Sequence, residues 1–590
     1  MERILLVYPE VPKNTFWSFK YALKLAGKKS AMPPLGLITV AALFPQRYQL
    51  KLVDMNIEPL KDHDVHWADA VFVSAMIVQK TSLQEVIATC NRIETPVVVG
   101  GPYATTSHQE ISGVDHFVLG EVEDIFLDVL ADLEKGEARA VYPASPRPDL
   151  SRTVVPRFDL LDLKSYASMA VQYSRGCPFK CEFCDIWAVY GNKPRVKHPD
   201  HFLAELDALH ALGWQGAVFI VDDNFIGNKR RVKKELLPAL IDWHRDHDYI
   251  FRFFTEASIN MADDHRLLSL MRDAGFNEVF IGVETPSSRG LEETHKIQNL
   301  KIDMKEAIRT IQSYGIGVMA GFILGFDSDE DDIFERQISF IQETGIPRAM
   351  VGLLIVLPGT ELSTRLAKEG RLVGMTEGNN THSMETNFVT RMAPDQLREG
   401  YKKVLAAIYD SNMKNYFARC NTLLDSIGDT PFYRRDIHWD EMRTCAKSMF
   451  FQTFTPYGFQ YLKFITRNMV KHRKSFSEAV ALSVIGHHYY TITRETLKVE
   501  NVSVALEESY AALREQIATH AALARDNYLE GVQQVVALWE KRGRILSEIG
   551  KKIDRIHIDF REDISQKFDD VSEQMKNLFT AFEDELGYLG

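Results

Sequence analysis

The stretch Ala170-Val171-Gln172-Tyr173-Ser174-Arg175-Gly176-Cys177-Pro178-Phe179-Lys180-Cys181-Glu182-Phe183-Cys184 decides the reading of this chain. Ala170 to Ser174 reads as a short strand. Gly176 and Pro178 then open a loop that carries three cysteines at CxxxCxxC spacing. Three thiolates so spaced can hold three irons of a cubane cluster and leave the fourth iron open to a ligand from outside the protein. Structural zinc would ask for a fourth Cys or His at ligand spacing, and His198, the nearest candidate, fits no such spacing. Cys90, Cys420 and Cys445 are scattered and read as small buried residues.

Downstream of the cysteine loop, strand-like runs recur at Ala217 to Asp222, Phe251 to Glu256, Val279 to Glu284, Val318 to Leu324 and Ala349 to Val356. With the first strand these make six βα repeats, short of the eight in a closed barrel, so residues 169–375 are expected to form a partial (β/α)6 barrel. Upstream, five runs at Ile4 to Tyr8, Leu50 to Met55, Ala70 to Ala75, Val97 to Gly100 and His116 to Leu119 alternate with helical patterns. They predict an α/β doubly wound, flavodoxin-like domain over residues 1–140, with any ligand at the carboxyl ends of its strands. Pro143, Pro146, Pro148 and Pro156 mark residues 141–168 as a linker. Residues 376–500 are expected to be mainly helical, as over Asp395 to Tyr409 and Phe476 to Thr493. Residues 501–590 read as amphipathic helices, Val502 to Arg525 and Tyr528 to Ile549 among them, forming a bundle or oligomerisation arm.

At 590 residues the chain exceeds one hydrophobic core, and 45% hydrophobic with 25% charged residues is ordinary globular composition. A net charge of −12 argues against nucleic acid as a partner. Ile4 to Pro9 is too short for a signal peptide, and no run approaches the ~20 apolar residues of a membrane span, so a soluble protein with at most peripheral membrane contact is expected. Six cysteines without a disulfide framework point to the reducing cytoplasm.

The cysteine loop, set after the first strand of such a barrel, closely resembles the cluster loop of radical S-adenosylmethionine (SAM) enzymes. That resemblance implies a 4Fe–4S cluster whose open iron is chelated by the methionine moiety, a reductant such as flavodoxin or ferredoxin, and a 5′-deoxyadenosyl radical that takes hydrogen from substrate. Asp222, Asp223, Glu256 and Glu284 each follow a hydrophobic run, where a cationic ligand with ribose hydroxyls needs acceptors. Asp222 and Asp223, in Val221 to Phe225, are similar to the family position receiving the methionine amino group; Glu256 looks like the ribose or sulfonium partner. Glu284 looks like a further acidic wall residue. An acid at a helix start is stabilising in its own right, and Asp223 and Glu284 read equally as helix caps. Gly325, in Gly321 to Phe326, resembles the family's glycine-containing strand against which adenine lies, and Leu357 to Thr360 resembles the last barrel strand end.

The amino-terminal domain resembles the cobalamin-binding domain of one branch of that superfamily. The resemblance rests on Val53-Asp54-Met55-Asn56, on Gly100-Gly101-Pro102, and on Gly120 with Glu121. Cobalamin domains with a DxHxxG loop ligate cobalt through its histidine; here Asn56 stands at that place, so any bound cobalamin is expected to lack a protein histidine below cobalt. A doubly wound domain that keeps the fold without the cofactor is the competing reading.

Thr285-Pro286-Ser287, Lys296 to Asn299, Gly325 to Asp329 and Thr386-Asn387-Phe388 carry a likeness to the branch of hopanoid C-2 methylases and tetraether-lipid ring synthases. It implies a small, apolar substrate with an unactivated carbon, where acid–base catalysis has little to act on and cofactors supply the chemistry. Three readings follow: cobalamin-dependent C-methylation of an isoprenoid lipid, carbon–carbon bond or ring formation without methyl transfer, and a non-catalytic metal-binding scaffold. Phe450, Phe451, Phe454, Tyr457, Phe459, Tyr489 and Tyr490 read as core, or as the lining of a greasy channel. Oligomeric state is not legible in the sequence.

Overall fold

Valine-rich runs that bury both faces need cover on both sides, and the computed structural model shows that arrangement in the first sheet. The structure describes residues 1–428, 439–526 and 528–587. Strands β1 (Arg3–Tyr8), β2 (Gln49–Asp54), β3 (Ala70–Ser74), β4 (Val97–Gly100), β5 (His116–Val118) and β6 (Val141–Tyr142) pair in the order β2-β1-β3-β4-β5-β6, all parallel. Leu5, Val7, Val71, Val73, Val97 and Val99 join the core on one face. Ile4, Leu6, Ala70, Phe72, Val98 and Val118 join that on the other. Each such fully buried Val, Leu or Ile contributes about 1.5–3 kcal/mol. The strand order reverses between β1 and β3, the switch point where doubly wound sheets open a crevice.

The edge strand β6 lies inside the stretch expected as linker. Two residues next to a proline give no periodicity to read, but Tyr142 is buried against the sheet and its hydroxyl donates to Asp132. The remainder of that stretch is irregular, with single turns at Leu150–Arg152, Phe158–Leu160 and Leu163–Ser165 and with Leu150 and Phe158 buried as anchors.

The second sheet starts with β7 (Ser168–Val171). A two-residue antiparallel hairpin, β8 (Ser174–Arg175) with β9 (Arg195–Val196), brackets the cysteine loop. The sheet continues through β10 (Ala217–Ile220), β11 (Arg252–Glu256), β12 (Phe276–Glu284), β13 (Gly317–Leu324) and β14 (Ala349–Leu353), parallel and in chain order from β7 to β14. This is the partial barrel. Its open edge is covered: Tyr401 and Tyr409 donate their hydroxyls to the Val351 and Ala349 carbonyls at 2.9 and 2.7 Å, and the Leu353 amide donates to the Asn380 carbonyl.

Helices Pro394–Ile408, Lys414–Ile427, Trp439–Thr453 and Gly458–Lys471 follow, then the long helix Phe476–Asp526. Tyr457 and Tyr489 are core residues, Tyr490 is half-buried against Tyr457, and Phe450, Phe451, Phe454 and Phe459 are exposed. Residues 1–490 form one compact unit and 491–590 a second. In the second, helices Tyr528–Ile553 and Arg561–Gly587 bury Val535, Leu538, Val571 and Met575, and Trp539 meets Phe579 edge to face. Among the described residues no helix is long and apolar enough to cross a membrane.

Candidate active site

Because Ser174 and Arg175 are paired with Val196 and Arg195, the cysteine loop leaves the top of the barrel in a fixed direction. Gly176 has φ 93°, and a Cβ there would lie 2.8 Å from the Gly191 carbonyl, so no other residue fits the turn. Its amide donates to Asp223 Oδ2 at 2.7 Å, and the Cys177 amide donates to the Gly191 carbonyl. Mid-loop, the Glu182 amide donates to the Thr294 carbonyl, its own carbonyl accepts from Leu362, and its carboxylate pairs with Arg365 at 2.6 Å. The loop is thereby pinned from both flanks, leaving Cys177, Cys181 and Cys184 as free, partly exposed thiols.

Two side-chain amides reach these sulfurs. Asn224 Nδ2 lies 3.8 Å from Cys177 Sγ, and Gln298 Nε2 lies 3.7 Å from Cys181 Sγ. Such donors stabilise thiolates and tune a cluster they carry. Burial pushes the Cys177 and Cys184 thiols up, a cost that a bound metal, which takes the thiolate, would offset. Among the described residues no three His, Cys, Asp or Glu side chains gather around a single ion. A cubane asks for no such convergence, since each thiolate takes its own iron.

Across the mouth stand the acids. Glu256 ends β11 with no hydrogen-bond partner among the described residues, and burial, with Asp223 nearby, pushes its carboxyl up to about 8. Burial likewise raises Asp223 to about 7 and Asp222 to about 6. Asp222 faces the wall, accepting from the Tyr173 amide at 2.8 Å and the Ser174 hydroxyl at 2.6 Å. The β12–β13 register breaks between Gly282 and Glu284. Glu284 there adopts φ 64°, strained for a side-chain-bearing residue, and pairs with Lys296 at 2.6 Å. Burial alone would lower the Lys296 ammonium, but Glu284 and the Cys181 thiol raise it. Gly282 makes room for the pair, since a Cβ there would lie 2.2 Å from Glu284 Oε1. Gly325, at φ 103°, gives its amide to Asp329.

Below the acids the barrel interior is aromatic. Alternate residues of a strand share one face. On the face that the outer helices do not cover, Phe219, Phe254 and Phe280 are half-buried. Phe219 and Phe254 stack at 4.7 Å, and Trp17, from the loop after β1, lies 5.4 Å from Phe280. Beneath them Arg348 and Glu278 pair at 2.6 Å and close the bottom. A closed barrel would fill this space with interlocking branched residues.

Gly100, Gly101, Pro102 and Gly120 lie at the carboxyl ends of the first sheet, where the glycines let neighbouring chain approach closely. Gly101 has φ 89°, and a Cβ there would lie 2.6 Å from Ser74 Oγ; at Gly120 one would meet Ala144 at 2.9 Å. Three residues expected to face a ligand are engaged elsewhere. Asp54 accepts from the Tyr166 hydroxyl at 2.9 Å. Asn56 accepts from the Val11 amide and donates to Asp54. Glu121 is buried between Arg175 at 2.7 Å and Arg195 at 2.6 Å, while Glu123 takes Arg175 from the other side. Three guanidinium N–H donors commit this buried carboxylate to the fold. Sequence reasoning gave no role to Arg175, Glu123, Lys296 or Gln298; the last two lay within a segment quoted only for its family likeness.

This donor set fits the cluster and the S-adenosylmethionine that the resemblance implied: three thiols in one loop, and crowded acids whose repulsion a cation would relieve. Comparison with known proteins agrees. Residues 171–341 match the Radical SAM superfamily, residues 25–130 a B12 binding domain, and residues 360–501 a domain of unknown function (DUF4070). An uncharacterized methyltransferase of Synechocystis sp. is 43% identical over 69% of this chain and 76% of its own length. The hopanoid C-2 methylase of Rhodopseudomonas palustris is 32% identical over 86% and 97%. The structure of the cobalamin-dependent S-adenosylmethionine radical enzyme OxsB with aqua-cobalamin bound aligns at a TM-score of 0.54 with 14% identity, over 84% of this chain and 80% of that one, a likeness of fold.

The site and fold are those of an iron–sulfur radical enzyme. The chain belongs to the radical SAM superfamily, within its family of cobalamin-dependent methyltransferases. Its cofactors are a 4Fe–4S cluster, S-adenosylmethionine and cobalamin.

Proposed function

We propose that the protein transfers a methyl group from S-adenosylmethionine to an unactivated carbon of an isoprenoid lipid. The observation that carries this reading is the layered barrel interior, with acids at the mouth, half-buried aromatic rings beneath them and an ion pair sealing the base. Phe219, Phe254, Phe280 and Trp17 offer an apolar polycycle a mainly aromatic surface whose one polar group is the Trp17 indole N–H, which suits a substrate with few polar handles. The hopanoid C-2 methylase among the relatives supports the same substrate class.

When bound, the cofactors supply a carbon-centred radical and a methyl group. The chain's own residues position and shield. In this reading Cys177, Cys181 and Cys184 hold the cluster and leave one iron open, while Asn224 and Gln298 donate to two of the sulfurs. Glu256 and Asp223 accept the cationic end of S-adenosylmethionine, with Asp222 bracing the wall behind them. Lys296 neutralises Glu284 and keeps it from adding to the local negative charge. Gly325 gives backbone access to adenine, and Gly100, Gly101, Pro102 and Gly120 bear the corrinoid. The domain division is read as 1–140 for cobalamin, 169–375 for the radical site, and 376–500 with 501–590 as helical additions. A flavodoxin or ferredoxin in the cytoplasm would supply electrons.

The test is anaerobic incubation of protein reconstituted with iron, sulfide and cobalamin, in the presence of a low-potential reductant, with S-adenosylmethionine labelled in its methyl group and a polycyclic isoprenoid, read by mass spectrometry. Label in the lipid together with 5′-deoxyadenosine is expected. An unlabelled product with a new carbon–carbon bond would replace methylation by ring formation, and persistent absence of 5′-deoxyadenosine would favour a scaffold.

A further inference from the structure

Helices Trp439–Thr453 and Gly458–Lys471 form a hairpin whose turn carries Phe454. Its inner face is ordinary core: Tyr457, Tyr461, Phe464 and Ile465 are buried, and Phe464 stacks on Phe417 at 4.8 Å. Its outer face is apolar and bare. Phe450 is 75% exposed, Phe454 79% and Phe459 77%, and Met449, Met469 and Val470 extend the strip along both helices. Phe450 and Phe454 meet edge to face, 5.6 Å apart. Six large apolar side chains exposed on one hairpin mark a surface that meets something apolar.

Charge identifies what it meets. The hairpin and its exit, residues 439–474, contain seven Lys and Arg against two acids, Asp440 and Glu441 at the start of the first helix, in a chain whose acids outnumber its Lys and Arg by 81 to 69. Arg467 and Lys471 are engaged by Asp425 on the inner side. Arg443, Lys463, Arg473 and Lys474 are exposed. Lys447 and Lys463 have no ion-pair partner among the described residues. Aromatic rings projecting from a helical turn, flanked by unpaired lysines, are what an interfacial segment needs to enter the acyl boundary while its cations meet lipid phosphates. A second copy is a poor occupant, because two-fold pairing would set this basic patch against itself. A protein interface would shed its lysines.

We infer that this hairpin docks the protein on an anionic phospholipid bilayer, as a monotopic contact that spans nothing. The inference goes beyond the assignment of methyl transfer and is read without turnover, so either can fail alone. Docking would also bring the protein to the surface where water-insoluble isoprenoids reside.

The test is flotation of the full-length, anaerobically purified holoprotein with vesicles of phosphatidylglycerol and phosphatidylcholine, and with vesicles of phosphatidylcholine alone. Binding to the anionic vesicles is expected, about tenfold weaker to the neutral ones and falling as salt rises. Phe454→Ser with Phe459→Ser should lower vesicle affinity by at least about tenfold. Lys447→Gln with Lys463→Gln should erase most of the preference for phosphatidylglycerol. Because both phenylalanines are exposed, iron content and circular dichroism should be unchanged. Independently, Phe454→Trp should gain fluorescence that brominated lipid quenches. Equal binding by wild type and the phenylalanine variant, or no quenching of Phe454→Trp, overturns the inference. So does a wild-type dimer that the same variant converts to monomer while vesicles are ignored.

Discussion

Glu256 concentrates the electrostatics of the site. Burial and neighbouring carboxylates raise it to about 8, so near neutral pH it holds a proton that a cationic ligand would expel. S-adenosylmethionine binding is therefore expected to release protons, with affinity rising as pH climbs toward 8 and levelling above it. Calorimetry of the reconstituted protein in buffers of different ionisation heat would measure this, and Glu256→Gln should flatten the dependence. Without ligand the sign reverses. A raised carboxyl binds its proton more tightly in the folded state, so this group's contribution to stability falls as pH rises from the ordinary glutamate range through 8. Gly282→Ala is a second residue-scale probe. The new Cβ would strike Glu284 Oε1 and Lys296 Nζ, breaking that pair, and a loss of about 1–3 kcal/mol in urea unfolding is expected. The cysteines and Glu256 were legible because their chemistry is local in sequence. Gln298 was not, because its closeness to Cys181 arises only when the loop after β12 folds back over the cysteine loop.

Among the elements, the hairpin β8–β9 matters most for placing the cysteines, and two residues per strand leave no periodicity to detect. It is held by Glu121 and Glu123, which reach from the loop after β5 to grip Arg175 and Arg195. One buried ion cluster thus ties the carboxyl end of the first sheet to the residue two positions before Cys177. Glu121→Ala leaves two guanidiniums with one carboxylate fewer and is expected to destabilise the fold by about 3 kcal/mol, seen in urea unfolding. Iron retention should fall with it. The long parallel strands were legible from their buried apolar runs, with ends misplaced by up to three residues: β12 starts before the expected run, and β7 and β14 end before theirs. The burial of Glu121 was not legible. Leu119-Gly120-Glu121 has the form of a ligand loop, and only the arrival of Arg175 and Arg195 from the second sheet recruits the acid.

For the whole molecule, the order of a doubly wound sheet, a six-stranded open barrel and added helices followed from strand count and turn chemistry. What composition could not separate was which aromatic rings are core, which line the barrel and which face water. Tyr489 is buried and Phe454 is exposed within the same helical region, and Phe219 and Phe254 form part of the barrel interior. Phe254→Ala, which enlarges that interior beneath Glu256, is expected to weaken binding of an apolar substrate about tenfold or more and to leave S-adenosylmethionine binding intact, as separate titrations would show. The account rests on a cubane held by Cys177, Cys181 and Cys184 with one iron left for S-adenosylmethionine. Mössbauer spectroscopy of the anaerobically reconstituted protein, with and without S-adenosylmethionine, tests it most directly. One iron site that changes its signature when S-adenosylmethionine is added is the expected result; a cluster whose irons are all indifferent to it, or zinc in place of iron, would contradict the account.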